Sequence, residues 1–361
     1  MEDKIPVTQP FLPPREEYES FLADIWDRNW LTNNGPLVQE LEDKLTNYLG
    51  VNELSLVSNG TIALQIAMKA LNLKGEIITT PFSYVATTSS IVWENYTPVF
   101  VDIHPDTFNL DPQNIEAAIT PKTSAIVATH VYGNPCDIEG IQTIADRHNL
   151  NVIYDAAHCF GTKYKGKSIF NYGDISTCSF HATKLFHTVE GGAVVTDDPK
   201  MRRTINLMRN FGHDGLNNFT GVGINGKNSE LHAAMGLVNL RYIDSVLARR
   251  QKLSKIYDRY LKEADLSKPA IQQPHSEYNF SYYPVRFNSE KQLTEVQTEL
   301  TKANIQTRRY FYPLLSELDY VDKKSSTPVA NRVAKQILCL PFYHELSEKT
   351  IAQICKIIKS V

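Results

Sequence analysis

Lys184, directly beyond a predicted strand, is the residue best placed to do covalent chemistry in this chain. It closes the segment Ser179–Lys184, which reads SFHATK. A lysine amine attacks an aldehyde and forms a Schiff base when burial and neighbouring groups lower its pKa. Most lysines are solvated surface charges. At the carboxyl end of a strand in an open parallel sheet, where active sites lie, Lys184 becomes a candidate catalytic residue with Ser179 beside it.

An aspartate ends the preceding predicted strand, in the segment Tyr154–His158, which reads YDAAH. The carboxylate of Asp155 can pair with the nitrogen of a pyridine ring and keep it protonated, and a protonated ring is an electron sink. An aspartate after a strand can equally cap a turn or a helix. His158 could bond an oxygen of the same ring or pack in the core. The pair is therefore a candidate ring-binding site with a structural alternative.

Three further positions could hold an anion or a flat ring. Ser58–Thr61 (SNGT) lies between a predicted strand and an apolar helix, where the N–H groups of Gly60 and Thr61 could bind a phosphate or belong to an ordinary capped helix. Tyr84 follows another predicted strand and could stack on a ring, although such aromatics usually pack in the core. Asn225 lies in a glycine-rich loop, where a turn role is the ordinary one.

The order of these residues is more informative than any one of them. A phosphate-loop candidate, a stacking ring, an acid and a lysine follow one another along the chain, all at strand ends of one predicted sheet. That layout is typical of a site for pyridoxal 5′-phosphate (PLP), whose phosphate, ring nitrogen and aldehyde need these partners. The sequence therefore predicts a PLP enzyme.

The elements that would position these residues alternate between strands and helices through the first two-thirds of the chain. Several strands are apolar at consecutive positions, as in Ala125–Ala128, which is typical of strands covered on both faces. The pattern predicts an α/β fold with a three-layer, mostly parallel seven-stranded sheet. The predicted strands are Glu53–Ser58, Glu76–Thr80, Pro98–Ile103, Ala125–His130, Asn151–Ala156, Ser176–His181 and Gly192–Asp197, with helices between them at Gly60–Leu73 and Asp137–His148.

The pattern changes after residue 230. We expect one helix over Ser229–Ser245, a second with an apolar stripe from Leu253 to Tyr260, a strand at Phe280–Phe287 and a helix carrying Leu293, Val296 and Leu300. A polar, proline-containing stretch occupies 267–276. The chain is therefore divided into a large PLP-binding domain with an N-terminal arm, 1–245, and a small C-terminal α+β domain, 246–361.

Composition excludes several other classes of protein. The 361 residues carry a net charge of −3, without the basic surface that nucleic acid or an anionic membrane would require. The five cysteines form no CxxC pair, so neither a metal site nor a disulfide framework is predicted. No signal peptide and no run of about 18 apolar residues is present, which predicts a cytoplasmic protein without a membrane span.

The motifs resemble those of the DegT/DnrJ/EryC1/StrS family of nucleotide-sugar aminotransferases, which have PLP fold type I. The likeness runs over nearly the whole chain. The matching segments are Trp30–Pro36, Ser58–Thr61, Asp155–His158, Ser179–Lys184, Asn225 with Ser229–Ala234, and Leu340–Tyr343.

The resemblance implies a role for each motif residue. Lys184 binds PLP covalently and moves the proton between cofactor and substrate carbons, while Asp155 pairs with the ring nitrogen. His158 bonds the ring oxygen, and Tyr84 stacks on the ring. The phosphate is assigned to Gly60, Thr61, Ser179 and, from the neighbouring subunit of a homodimer, Asn225.

The resemblance also implies a reaction. L-glutamate gives its amine to the cofactor, leaving 2-oxoglutarate, and a nucleotide-linked keto-sugar then takes the amine. SFHATK followed by Glu190–Gly192 resembles members that act at C4. The stretch Lys184–Thr188 resembles enzymes that aminate dTDP-4-dehydro-6-deoxy-D-glucose, and products of this family feed surface polysaccharides such as the lipopolysaccharide O-antigen. A C3 aminotransferase of a dTDP-3-keto-6-deoxyhexose, a UDP-4-keto-sugar enzyme and a GDP-sugar substrate stay open. Candidate sugar-binding residues are His187, Arg308, Tyr310 and Tyr312, the last three of which could instead form an edge strand.

Rival functions make different demands on the sequence. A sugar dehydratase of this family carries histidine where this chain has Lys184, and a desulfurase needs a reactive cysteine beside the cofactor. A PLP-binding regulator would need a further effector module. A nicotinamide dehydrogenase would need a GxGxxG fingerprint, which Ser58–Thr61 does not provide.

Overall fold

The computed structural model describes residues 4–272, 276–322 and 325–361. Among the described helices, none is long and apolar enough to cross a membrane.

The strands, in chain order, are β1 (Glu53–Val57), β2 (Glu76–Thr79), β3 (Thr97–Phe100), β4 (Thr123–Thr129), β5 (Asn151–Asp155), β6 (Lys163–Tyr164), β7 (Lys167–Ser168), β8 (Ile175–Ser179), β9 (Gly192–Thr196), β10 (Ser276–Glu277), β11 (Pro284–Arg286) and β12 (Ile337–Cys339). The helices are α1 (Arg15–Arg28), α2 (Pro36–Leu49), α3 (Gly60–Ala70), α4 (Val85–Trp93), α5 (Ile138–His148), α6 (Pro199–Met208), α7 (Glu230–Leu240), α8 (Ile243–Leu261), α9 (Glu290–Lys302), α10 (Pro328–Gln336) and α11 (Glu348–Ser360).

Seven strands form the main sheet in the order β1-β9-β8-β5-β4-β2-β3. The neighbours from β8 through β5, β4 and β2 to β3 are parallel, whereas β9 runs antiparallel to both β1 and β8. Each of the seven strands predicted from the sequence is a member of this sheet. The predicted mostly parallel seven-stranded sheet is confirmed.

Alternate residues of the central strands enter two different hydrophobic cores, one on each face of the sheet. Ala125 and Val127 of β4 lie in the core beneath α3, whereas Ile126 and Ala128 lie in the core on the opposite face. Burial on both faces explains why the strand sequences are apolar at consecutive positions. Helices therefore cover both faces, which gives the three layers that the sequence predicted.

The single helix predicted over Ser229–Ser245 is wrong, because the chain forms two helices there. Ser229 caps α7, and its side chain accepts a hydrogen bond from the N–H of His232. Arg241 and Tyr242 form a turn between α7 and α8, with Tyr242 at φ −108° and ψ −4°. The Tyr242 hydroxyl donates to Glu17 of α1, so a tertiary contact holds the break.

The strand predicted over Phe280–Phe287 is shorter in the structure, because only β11 is extended and paired. Phe280 has φ +54°, a left-handed conformation that interrupts an extended run. β11 pairs antiparallel with β12, and α9 forms where the sequence predicted it. Together with α8 and α11, these elements enclose a second core that contains Leu253, Leu293 and Leu338.

The predicted domain division near residue 245 stays a prediction. α8 runs through it without interruption, contributing Val246 to the core of the main sheet and Leu253 to the C-terminal core. The N-terminal arm pairs with the C-terminal part, since the Ile5 N–H donates to Asn304 O at 3.0 Å. Three residues of the predicted polar stretch 267–276, Gln273 to His275, lie outside the described residues.

Candidate active site

A cavity of about 700 Å³ lies where the parallel strands of the main sheet end. Strand ends converge there because parallel strands present their carboxyl termini at one edge, and residues after each strand meet in one place. Seven residues singled out from the sequence as a cofactor site line this cavity: Gly60, Thr61, Tyr84, Asp155, His158, Ser179 and Lys184.

The cavity wall contains a cradle for an anion at the start of α3. Asn59 caps this helix, and its side chain accepts a hydrogen bond from the N–H of Ile62 at 2.9 Å. The amides of Gly60 and Thr61 lie in the first turn, where no carbonyl of the helix is available to them. Gly60 packs against Ser179 so closely that a Cβ would come within 2.9 Å of the serine Cβ. The helix dipole and the free amides favour a negatively charged group here.

Asp155 presents a buried carboxylate to the cavity from the end of β5. It is 5% exposed, its Oδ2 accepts from Thr87 Oγ1 at 2.7 Å, and its Oδ1 accepts from the Ala157 N–H at 3.2 Å. Burial raises its pKa, while the hydrogen bonds and the Lys184 charge oppose that rise. A carboxylate has about four acceptor positions, so Asp155 retains capacity for a donor in the cavity.

Lys184 lies in a tight turn after β8, where its N–H donates to His181 O at 2.8 Å. Burial lowers the pKa of its amine, and the nearby Asp155 charge opposes this. A lowered pKa increases the fraction of neutral amine at neutral pH, which is the form that attacks an aldehyde. This environment is compatible with the predicted role of Lys184, which stays a prediction.

His158 leaves one ring nitrogen without a partner. The residue is 6% exposed, and its Nδ1 is buried without a hydrogen bond among the described residues. Burial holds its pKa well below the ordinary value, so the ring is neutral. Phe311 stacks on it with an interplanar angle of 8°, and Tyr282 packs edge-on, which fixes the ring plane.

These features together fit PLP. The amide cradle suits its phosphate, Asp155 suits its ring nitrogen, Lys184 suits its aldehyde, and the orphaned nitrogen of His158 suits a polar group of the ring. Tyr84 is 51% exposed at the N-terminus of α4, which leaves its ring available to cover a flat ligand.

Two of the four predicted sugar-binding residues, Arg308 and Tyr310, also line the cavity. The Arg308 guanidinium lies 5.0 Å from the centre of the Tyr310 ring, and among the described residues it forms no ion pair. Its neighbour Arg309 faces away and pairs with Glu290 at 3.0 Å. The edge strand, the alternative role of this segment, does not form, since Arg308 makes only an isolated bridge with Cys339.

The cavity lining does not include His187, Tyr312 or Asn225. His187 is 2% exposed, and its Nε2 donates to Phe11 O at 2.7 Å while its Nδ1 accepts from the Val189 N–H. Tyr312 packs against Arg309, whose guanidinium lies 3.8 Å from the ring centre. Asn225 is exposed in the loop before α7. Through its hydrogen bond to Phe11 O, His187 holds the N-terminal arm.

Sequence reasoning missed several residues of the cavity wall. Val7 and Thr8 reach it from the N-terminal arm, and Tyr282 reaches it from the segment before β11. Tyr282 belongs to an aromatic run that signals burial without indicating which ring faces a ligand. Nothing local marks Val7 or Thr8, because their position depends on backbone pairing with residues far along the chain.

Comparisons with known proteins identify the family of the chain. The model of the DegT/DnrJ/EryC1/StrS aminotransferase family matches residues 14–359. A dTDP-4-amino-4,6-dideoxy-D-glucose transaminase of Shigella dysenteriae is 45% identical over 100% of both chains. The crystal structure of DesI with its TDP-sugar product has a TM-score of 0.93 and 32% identity, covering 100% of this chain and 93% of that one. A sugar aminotransferase of Streptococcus pneumoniae in its PLP form has a TM-score of 0.92 and 25% identity, with 99% and 98% covered.

Proposed function

We propose that this chain, which belongs to the DegT/DnrJ/EryC1/StrS aminotransferase family and is a PLP-dependent sugar aminotransferase, moves the amine of L-glutamate to C4 of dTDP-4-dehydro-6-deoxy-D-glucose. The product would be the compound named in its Shigella relative, which matches over its full length. The observation that carries the proposal is the convergence of Lys184, Asp155 and the Gly60–Thr61 cradle on one cavity.

The residues divide the work by their chemistry. When bound, PLP supplies an electron sink that stabilises negative charge on the reacting carbon. Lys184 Nζ would take the proton from the donor carbon and hold it for return, since burial lowers the pKa of its amine. Asp155 accepts the hydrogen bond of the ring N–H, and His158 bonds the ring oxygen.

The remaining wall residues bind and orient. The Gly60 and Thr61 amides and the Ser179 hydroxyl bind the phosphate, and Tyr84 covers the ring. We assign Arg308 to the diphosphate of the sugar nucleotide, because an arginine without an acidic partner in the described structure is suited to a bidentate phosphate contact. Tyr310 would support the Arg308 guanidinium through its ring.

The test is to run the two half-reactions separately. We expect the PLP-loaded protein, mixed with L-glutamate and no sugar, to release one equivalent of 2-oxoglutarate per site. The reacted protein, freed of glutamate, should then convert dTDP-4-dehydro-6-deoxy-D-glucose to the 4-amino sugar, measured by mass spectrometry and by NMR of the new C4–H.

Matched acceptors serve as controls in the second step. The UDP- and GDP-linked 4-keto sugars and a dTDP-3-keto-6-deoxyhexose should react with a kcat/KM at least about tenfold lower, as expected when one or more contacts are lost. Faster amination of any of these would overturn the assignment of the sugar. Absence of 2-oxoglutarate in the first step would overturn the assignment of the donor.

We also propose that the enzyme is a homodimer with shared active sites. Asn225 lies outside the cavity of its own chain, on a loop rich in exposed apolar side chains. Leu216 is 95% exposed, Val222 90% and Phe219 60%, and an apolar surface of this kind is suited to burial against a partner. A second copy would cover it and bring Asn225 to the phosphate of the neighbouring site.

Shared sites predict complementation between two impaired variants. Lys184→Ala lacks the amine, and Asn225→Ala lacks the contact contributed to the partner. A mixed dimer has one intact site, so random assortment should restore about a quarter of wild-type activity. The measurement is the rate of the co-expressed mixture, with size-exclusion light scattering to give the mass. A mixture no more active than the average of its components, or a monomeric mass, would contradict the proposal.

A further inference from the structure

Three buried hydroxyl groups form a chain that ends on the carboxylate of Asp155. Thr129 Oγ1 lies 3.0 Å from Ser83 Oγ, Ser83 Oγ lies 2.9 Å from Thr87 Oγ1, and Thr87 Oγ1 lies 2.7 Å from Asp155 Oδ2. The three hydroxyl residues are 1% to 2% exposed. Solvent therefore does not compete for these hydrogen bonds.

The chain of hydroxyl groups links separate elements at the carboxyl edge of the sheet. Thr129 is the last residue of β4 and Asp155 the last of β5. Ser83 lies between β2 and α4, and Thr87 lies in the first turn of α4. Three strand ends and one helix therefore meet at a single carboxylate.

The direction of the protons follows from Thr87, whose hydroxyl donates to the Asp155 carboxylate. A carboxylate only accepts, so Thr87 must donate to it. The Thr87 oxygen is then free to accept from Ser83, and the Ser83 oxygen accepts from Thr129. All three hydroxyl protons point towards Asp155, and aligned bonds of this kind polarise one another.

We propose that Thr87, Ser83 and Thr129 act as positioning residues that keep Asp155 ionised and orient its free acceptor positions towards the ring nitrogen of PLP. The inference rests on the proposed role of Asp155 and extends it to residues with no assigned part in the reaction. Thr87 and the Ala157 N–H fix one oxygen each from the protein side, so the carboxylate cannot rotate away from the cavity.

Burial of Asp155 supports the need for such a chain. Burial raises the pKa of this carboxyl, and the Thr87 hydrogen bond is the largest effect that lowers it. Without the chain of hydroxyl groups, a larger fraction of Asp155 would carry a proton. In that neutral form it could not keep the ring nitrogen of PLP protonated. The hydroxyls would therefore act on the reaction through Asp155.

The test compares two adjacent buried threonines of α4. Thr87→Val removes the donor while keeping nearly the same shape. Thr88→Val is the matched control, because Thr88 is fully buried and its hydroxyl has no partner in the described structure. We expect Thr87→Val to slow the glutamate half-reaction about ten- to a hundredfold, as for a lost hydrogen bond to a charge. Thr88→Val should stay within about twofold.

Two further variants separate positioning from packing. Thr87→Ser restores the hydroxyl and should recover the rate to within about threefold, although it removes a methyl group. Ser83→Ala leaves Thr87 in place and should give a smaller loss than Thr87→Val, since it acts one link further away. PLP affinity, measured by fluorescence titration of the apo protein, should change less than about threefold in all of these.

A double-mutant cycle decides whether Thr87 acts through Asp155. In the Asp155→Asn background, Thr87→Val should change the rate less than about twofold, because the group that it serves is already neutral. Equal losses in both backgrounds, or equal effects of Thr87→Val and Thr88→Val, would overturn the proposal. If Thr87→Val does not fold, Ser83→Ala compared with Thr88→Val carries the same test, with a smaller expected loss. Failure of the wild type to react with glutamate would instead refute the donor.

Discussion

Replacing Lys184 by alanine should reduce amino transfer at least about a thousandfold while leaving the fold intact. The variant loses both the nucleophile that binds the aldehyde and the base that moves the proton, and a positioned base alone contributes about 10²- to 10⁴-fold. Reduction of the loaded protein with borohydride, followed by intact-mass spectrometry, should add the mass of reduced PLP to the wild type and nothing to the variant.

The stability of the Lys184→Ala apo protein should change in a predictable direction. Burial lowers the pKa of Lys184, so between its native pKa and the ordinary lysine value the unfolded chain binds more protons at this residue than the native chain does. Stability of the wild type therefore rises with pH towards the ordinary lysine pKa, and the variant lacks this dependence. Thermal unfolding should show the variant at least as stable near pH 7, with its advantage shrinking as the pH rises.

Lys184→Arg provides the control for charge. It retains a cation at the same place but cannot form the covalent link, because the guanidinium stays protonated. It should be as inactive as Lys184→Ala and should lack the reduced adduct. An alanine variant with more than about a tenth of wild-type activity, or an adduct that persists on another lysine, would show that Lys184 does not have this role.

The parts of the site that the sequence predicted are those encoded locally. Lys184, Asp155 and Gly60 each follow an apolar strand within a few residues, and strand ends of a parallel sheet necessarily converge. Polar and small residues at such positions therefore indicate a shared site before any contact is known. Lys184 and Asp155 could therefore be located from the residue type and its place after a strand, while their roles stay predictions.

The parts that the sequence did not predict depend on contacts between distant segments. His187 is a candidate sugar-binding residue because of its type, yet its ring Nε2 donates a hydrogen bond to the Phe11 carbonyl of the N-terminal arm. At the break between α7 and α8, Tyr242 donates a hydrogen bond to Glu17 of another helix, and no local propensity marks this contact. Thr87 and Thr129 have no distinguishing motif, and their relation to Asp155 appears only when three strand ends are brought together.

Asp155→Asn should retain PLP but lower turnover about 10²- to 10⁴-fold. The amide nearly preserves the shape of the side chain and can still accept from Thr87, so the pocket stays formed. It carries no charge, however, and cannot hold the ring nitrogen protonated, so the electron sink is weakened. The borohydride adduct of Lys184 should persist while the glutamate half-reaction, followed by stopped-flow absorbance, becomes slow.

The stability of Asp155→Asn should move opposite to its activity. Burial raises the pKa of Asp155, so the native chain binds its proton more tightly than the unfolded chain, and stability falls as the pH rises past the ordinary aspartate value. At neutral pH the variant should unfold at a temperature no lower than the wild type.

Asp102→Asn is the matched contrast, because Asp102 accepts from the N–H groups of Val329 and Ala330 at 2.8 Å and lies outside the cavity. Asp102→Asn should lower the free energy of unfolding by about 1 kcal/mol, as for the loss of a helix cap, and should keep the rate of amino transfer per folded molecule. Equal activity losses in the two variants would show that a carboxylate matters here for folding alone, and Asp155 would lose its assigned chemistry.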